Sequence, residues 1–202
     1  MLKNAICFLL ILGLASTLNA EENKNTETKK NEKPVATKSI KDVEFPVEKV
    51  VAGEKLVLNG LGLRKAFFTV KVYVGALYLS EKSTEVDAIV KNPKVKKVEM
   101  QFLMGVPRNK LTEAWREALY NQCPKDCSNV KEGTAKMNSY MTSVVKGDRF
   151  EYTIFPDKVL VSIKGEEKPA IPGKDFAEAM IKIYVGDKAI DSNLAKGLRG
   201  LE

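Results

Sequence analysis

The chain of 202 residues contains no histidine. That absence removes the Ser-His-Asp and Cys-His nucleophile systems, the side chain that ordinarily titrates near neutral pH and the imidazole ligands of most zinc and iron sites. Any acid–base chemistry would fall to Tyr, Lys, Asp, Glu or water. Cysteine is scarce, with Cys7, Cys123 and Cys127 only. Two or three cysteines without histidine make a poor metal site, so neither a metal nor another cofactor is expected. Missing too is a basic patch interleaved with aromatics, the footprint of nucleic-acid contact. The net charge of +7 comes from lysines spread along polar faces. It predicts a solvated basic surface, weakly attracted to anionic membrane lipid, and no nucleic-acid partner. No apolar run reaches the roughly 20 residues that a bilayer span needs.

One shorter apolar run is present. Lys3 is followed by AICFLLILGLAS and then by TLNA, the three-part layout of a secretory signal peptide over residues 1–20 with cleavage after Ala20. Cys7 lies inside the run, unlike a lipid-attachment cysteine at its end. Residues 21–42, EENKNTETKKNEKPVATKSIKD, are polar, mixed in charge and almost free of bulky apolar side chains. Such a stretch buries too little surface to offset its chain entropy, and it is expected to be a disordered charged linker. Residues 43–202 are then one folded domain, long enough for a real core. In an exported chain the pair Cys123 and Cys127 is expected to form a disulfide, since a turn brings their Cα atoms to about 5–6 Å; free thiols are the alternative. A redox role would more usually use Cys-x-x-Cys, one residue shorter.

Within the domain, Lys55–Leu58 begins a strand, Gly60 and Gly62 mark a bend or bulge, and Phe67–Leu79 reads as one long strand. Its even positions, Phe68 to Ala76, form one apolar face. The odd positions, with Thr69, Lys71, Tyr73 and Gly75, face solvent or a cleft. A short helix is expected over Ser83–Lys91 and a strand over Val95–Met104. From Pro107 a helix follows whose apolar residues Leu111, Ala114, Trp115, Ala118 and Leu119 fall on one stripe. A second helix carries Met137, Tyr140, Met141 and Val144. RFEYTIF and VLVSIKG, joined by Pro156-Asp157-Lys158, read as a hairpin. Asp175 and Glu178 are spaced as a capping box for a helix bearing Phe176, Ala179, Met180 and Ile183, and a last helix covers Ser192–Leu198. Strands, helices, strands and helices in blocks predict an α+β fold with a mostly antiparallel sheet and a helical layer on one face. A cleft between the layers is a usual ligand location.

Arg64 stands out in LNGLGLRKAFFTVKVYVGALYL, a cation in an otherwise apolar stretch. Its planar fork suits a carboxylate, and an unpaired buried guanidinium is costly. From the residues alone, an internal salt bridge, simple exposure at a bend and a ligand contact all remain open.

Three segments, GLGLRKAFFTVKVYVGALYL, VEMQFLMGVPRNKLTEAWREAL and IPGKDFAEAMIKIYVGDKAIDSNLAKGL, together resemble the chalcone isomerase-like family, especially its exported bacterial members. The resemblance covers about residues 45–200. It implies an open-faced β-sandwich and, with the signal peptide, a periplasmic location. In that family the enzymes bind a flavonoid between sheet and helices, and non-catalytic relatives bind fatty acids. An arginine in a Gly-x-x-x-Arg stretch points into the cleft in both groups, and Arg64 matches it. The enzymes' threonine on the next strand falls at Tyr73, their tyrosine at Asn109, and a Ser or Thr on the penultimate helix near Ala177. With one polar group retained, the resemblance implies a non-catalytic binder. It would hold an apolar, fatty-acid-like ligand whose acidic or phenolic head is held by Arg64. Tyr73 and Trp115 are further ligand-binding candidates, and Val72, Val74, Leu111 and Met180 are candidate walls. The alternative is an intramolecular lyase or isomerase with a divergent active site.

Overall fold

The computed structural model describes residues 35–67, 69–123 and 127–201. The expected signal peptide and residues 21–34 of the expected linker lie outside them. Fourteen elements follow in chain order: β1 (Thr37–Ile40), β2 (Val43–Pro46), β3 (Glu48–Val51), β4 (Glu54–Ala66), β5 (Val70–Leu79), α1 (Val86–Lys91), β6 (Lys96–Phe102), α2 (Arg108–Tyr120), α3 (Ser128–Tyr140), β7 (Arg149–Ile154), β8 (Lys158–Ile163), β9 (Glu166–Pro172), α4 (Lys174–Val185) and α5 (Ser192–Leu198).

Strands β3 to β9 form one antiparallel sheet in sequence order, and β1 pairs with β2 as a separate ribbon. No strand needs a crossover, because each helix leaves and returns on the same side. That face carries the main core. Tyr73, Leu77, Met100, Phe102, Phe150 and Tyr152 of the strands pack there against Trp115, Met137, Phe176, Met180 and Leu198 of the helices. Val43 and Phe45 of the β1–β2 ribbon cover part of the opposite face, over Leu56, Leu58, Val74, Ala76 and Tyr78. The α+β expectation of a sheet with a helical layer on one face holds.

Several boundaries differ from those read off the sequence. The folded part begins earlier: Thr37–Ile40, inside the stretch expected to be linker, is strand β1. Its partner follows immediately through Lys41 and Asp42, both at positive φ, a two-residue turn whose twist suits a hairpin. Lysine and aspartate at those positions gave little turn signal. The long strand expected over Phe67–Leu79 is shorter, because Phe67 sits in the turn at φ +49°. On β5 both faces are buried: the odd positions meet the helical layer and Val74, Ala76 and Tyr78 the smaller core. The capping box does not form. Gly173 occupies the N-cap of α4, while Asp175 accepts a bond from Asn129 and Glu178 pairs with Lys182 one turn on. β9, over Glu166–Pro172, was not anticipated; its two prolines masked an edge strand, where a missing N–H is tolerated. Cys123 and Cys127 are joined as a disulfide with Cα atoms 5.9 Å apart, as expected.

Candidate functional site

The glycines preceding Arg64 have a steric reason. A Cβ at Gly60 would lie 2.1 Å from the Gly197 carbonyl oxygen, and one at Gly62 would lie 2.4 Å from that of Leu194. The α5 backbone thus presses directly onto β4, and a larger residue would lift it off. The β4–β5 register shifts between Leu58 and Gly60 and again between Arg64 and Lys65, as bulges do. Between the shifts Arg64 stands opposite Tyr73, on the helix-facing side of the sheet. Asp191 fixes this end of α5. Its Oδ1 accepts from Leu194 N at 2.9 Å as the helix N-cap, and its Oδ2 accepts from Lys65 N at 3.1 Å. Both oxygens of this carboxylate are therefore used on backbone N–H groups.

Arg64 is left without a protein anion. Among the described residues no salt bridge includes it, and its Nε is buried with no hydrogen-bond partner. The guanidinium lies 5.6 Å from the Tyr73 ring centroid, within cation–π range. The Tyr73 hydroxyl is likewise buried and unpartnered. Burial pushes its pKa far above the ordinary tyrosine range; Arg64 opposes that shift and Asp191 adds to it. The phenol is thus a neutral O–H donor at any physiological pH.

These two groups line a cavity of about 590 Å³ bounded by β4, the β4–β5 turn, β5, the β6–α2 connection and α2. Small-molecule sites usually span about 300–1,000 Å³, mostly apolar with few polar groups, and this cavity fits that description. Val72, Leu111, Trp115 and Ile190 form apolar wall, while Phe67, Val70 and Met104 stand exposed at the mouth. Trp115 donates its Nε1–H to the Tyr184 hydroxyl at 3.2 Å, and that hydroxyl donates to Met100 Sδ at 3.9 Å. Trp115 therefore offers the cavity an aromatic surface and no polar contact. Lys110 and Glu113 pair at the rim at 3.2 Å.

Arg64, Tyr73 and Trp115, chosen from sequence, thus meet in one cavity, with Val72 and Leu111 beside them. Val72 is the extra residue of the β5 bulge and so shares the face of Tyr73, whereas Val74, on the regular part of the strand, turns into the smaller core on the other face. Met180 is buried within the helical layer away from the cavity. Asn109 borders a shallow surface cleft with Arg108 and Asn138, and Ala177 a separate cleft beside Lys96 and Phe155; neither reaches Arg64's cavity. Sequence reasoning missed Phe67, Val70, Met104 and Ile190. The first two were read as strand interior because AFFT holds no glycine, proline or asparagine to signal a turn. No group of three or more acidic or cysteine side chains among the described residues could hold a metal ion.

A family model described as chalcone isomerase-like matches residues 37–200. No curated protein matches the chain in sequence. Among solved structures, a fatty-acid binding protein of Arabidopsis thaliana superposes with a TM-score of 0.63 at 15% identity, covering 81% of this chain and 96% of that one. At that identity the likeness concerns the fold.

Proposed function

Because the chain belongs to the chalcone isomerase-like family, we propose that it is an exported binding protein. Its ligand is an apolar, fatty-acid-like molecule whose acidic head is held by Arg64. The observation that carries this reading is the pair of unanswered donors, Arg64 Nε and Tyr73 Oη, on two residues that line an apolar cavity. Buried donors without partners are rare and costly in native proteins. A carboxylate docked at Arg64 would meet the guanidinium fork bidentately, with the Tyr73 hydroxyl as the neighbouring donor. A solved structure of like fold is that of a fatty-acid binding protein. Export to the periplasm is proposed on the N-terminal layout Lys3, apolar run, TLNA, and the scattered lysines give weak attraction to anionic lipid.

The isomerase alternative requires a proton donor and acceptor working near neutral pH. Tyr73, the phenol nearest Arg64, is held in its neutral form by burial, which favours binding over proton transfer. Native mass spectrometry of the purified protein tests the proposal. Wild type is expected to carry a carboxylic acid or to take up added palmitate, and Arg64→Ala is expected to do neither. Turnover of chalcone-like substrates that disappears in Arg64→Ala would overturn it in favour of an enzyme.

A further inference from the structure

The β4–β5 turn carries features that head-group binding does not use. Phe67 is 89% exposed and holds a left-handed backbone at φ +49°, a conformation that bulky residues rarely adopt. The turn is tied in that shape by its own bonds: Thr69 donates both its N–H, at 2.8 Å, and its Oγ1–H, at 3.3 Å, to the Phe67 carbonyl. Val70 and Met104 are exposed beside it, 39% and 38% respectively. All three line the mouth of the cavity. The strained aromatic therefore stands in water beside the opening of the cavity.

Just behind the tip, Lys65 and Lys71 are directly opposed across β4 and β5. Like charges so placed repel. Both are exposed, and among the described residues neither has an anionic partner. The carboxylates of the cavity lining, Glu113 and Glu117, lie on α2, while the tip itself joins an apolar point to two unanswered cations, which matches an interface with buried hydrocarbon and surface anions. A bilayer containing anionic lipid has that chemistry: aromatic and aliphatic side chains settle at the headgroup boundary while lysines meet the negative surface.

We propose that the β4–β5 tip, through Phe67, Val70 and Met104 with Lys65 and Lys71, docks on an anionic bilayer surface and presents the cavity mouth to it. Docking rests on the tip alone; its use in loading or unloading a ligand rests on the binding reading above.

The test places a fluorophore at the tip. Full-length protein carrying Phe67→Trp is mixed with vesicles of phosphatidylglycerol and phosphatidylcholine, or of phosphatidylcholine alone, with brominated acyl chains. The unsubstituted protein, whose single tryptophan Trp115 is buried, supplies the background. With anionic vesicles, emission from position 67 is expected to shift blue and be quenched by bromine. Adding Lys65→Glu and Lys71→Glu should raise the lipid concentration needed by at least about tenfold. Attachment elsewhere on the chain does not produce this signal. Three results would overturn the proposal: no response at position 67, an equal response with phosphatidylcholine alone, or a shift without vesicles that grows with protein concentration, which would assign the patch to a second copy of the chain. Arg64→Ala should leave the vesicle signal intact, so failure of the ligand reading and failure of docking are separable.

Discussion

Two charged side chains sit on opposite faces of the same sheet, and the fold treats them differently. Glu99, almost wholly buried, points to the face away from the helices. Its Oε1 receives Lys49 and, at 3.7 Å, Lys97, which also reaches Glu151 at 2.7 Å. Arg64, half-buried on the helix-facing side, receives nothing. Carboxylates are not lacking nearby, since Asp191 caps α5 beside it, yet that carboxylate is turned to backbone N–H groups. Glu99 thus has two chain cations at one oxygen, while its Oε2 is buried without a hydrogen-bond partner. At Arg64 and Tyr73 the chain leaves donors unanswered beside an apolar hollow, and the proposed partner is a ligand.

The comparison is sharpest if the two sites respond oppositely to mutation. Lys49→Ala removes the main partner of a buried carboxylate. Breaking such pairs costs about 3–5 kcal/mol when both members are buried; Lys49 is 23% exposed, so a loss of about 2 kcal/mol is expected. Urea denaturation should record it, while ligand affinity stays unchanged. Arg64→Ala should do the reverse. A charge-assisted bond contributes about 1.5–3 kcal/mol, so affinity for a long-chain fatty acid should fall roughly 10- to 100-fold. Stability should move by less than about 1 kcal/mol, because no protein partner is orphaned. If Arg64→Ala unfolds the protein and Lys49→Ala abolishes binding, the assignment of roles is inverted.

Tyr73→Phe is the smaller companion. One neutral hydrogen bond is worth about 0.5–1.5 kcal/mol, so binding should weaken about three- to tenfold in titration calorimetry. Stability should hold or rise slightly, since an unpartnered buried hydroxyl is removed. The buried phenols also set a pH limit. Burial raises the pKa of Tyr73, Tyr152 and Tyr184 above the unfolded value near 10. The folded state therefore holds these protons when the unfolded chain releases them. Their contribution is complete below about pH 10 and is lost as pH rises beyond it. Thermal unfolding at stepped alkaline pH should show the melting temperature falling from there. A flat profile to pH 12 would show that these phenols ionise in the folded state as freely as in the unfolded one.

Most of this architecture was legible in the chain because period and composition agree. The stripe Leu111, Trp115, Ala118 and Leu119 is buried, the hairpin through Pro156-Asp157-Lys158 forms, and α5 begins and ends where it was expected. Arg64 was visible as a cation in an apolar stretch and Trp115 on a helix stripe; Tyr73 came from the family resemblance, and its place opposite Arg64 is set by the β4–β5 register. What remained hidden depends on the third dimension. The turn at Phe67 carries no turn residue; its shape is set by Thr69 and by the bulge after Arg64. The extra residue of that bulge, Val72, shares the face of Tyr73, while Val74 turns to the other core. The glycines at 60 and 62 read as a bend, but their tightest constraint is a helix arriving from about 135 residues later.

The most direct measurement compares one ligand in two head-group forms. Titration calorimetry of delipidated protein with palmitate and with methyl palmitate isolates the anion while leaving the alkyl chain alike. The account predicts that palmitate binds at least about tenfold more tightly and that Arg64→Ala erases the difference. Equal affinity of the wild type for acid and ester, or no binding of either, would contradict it.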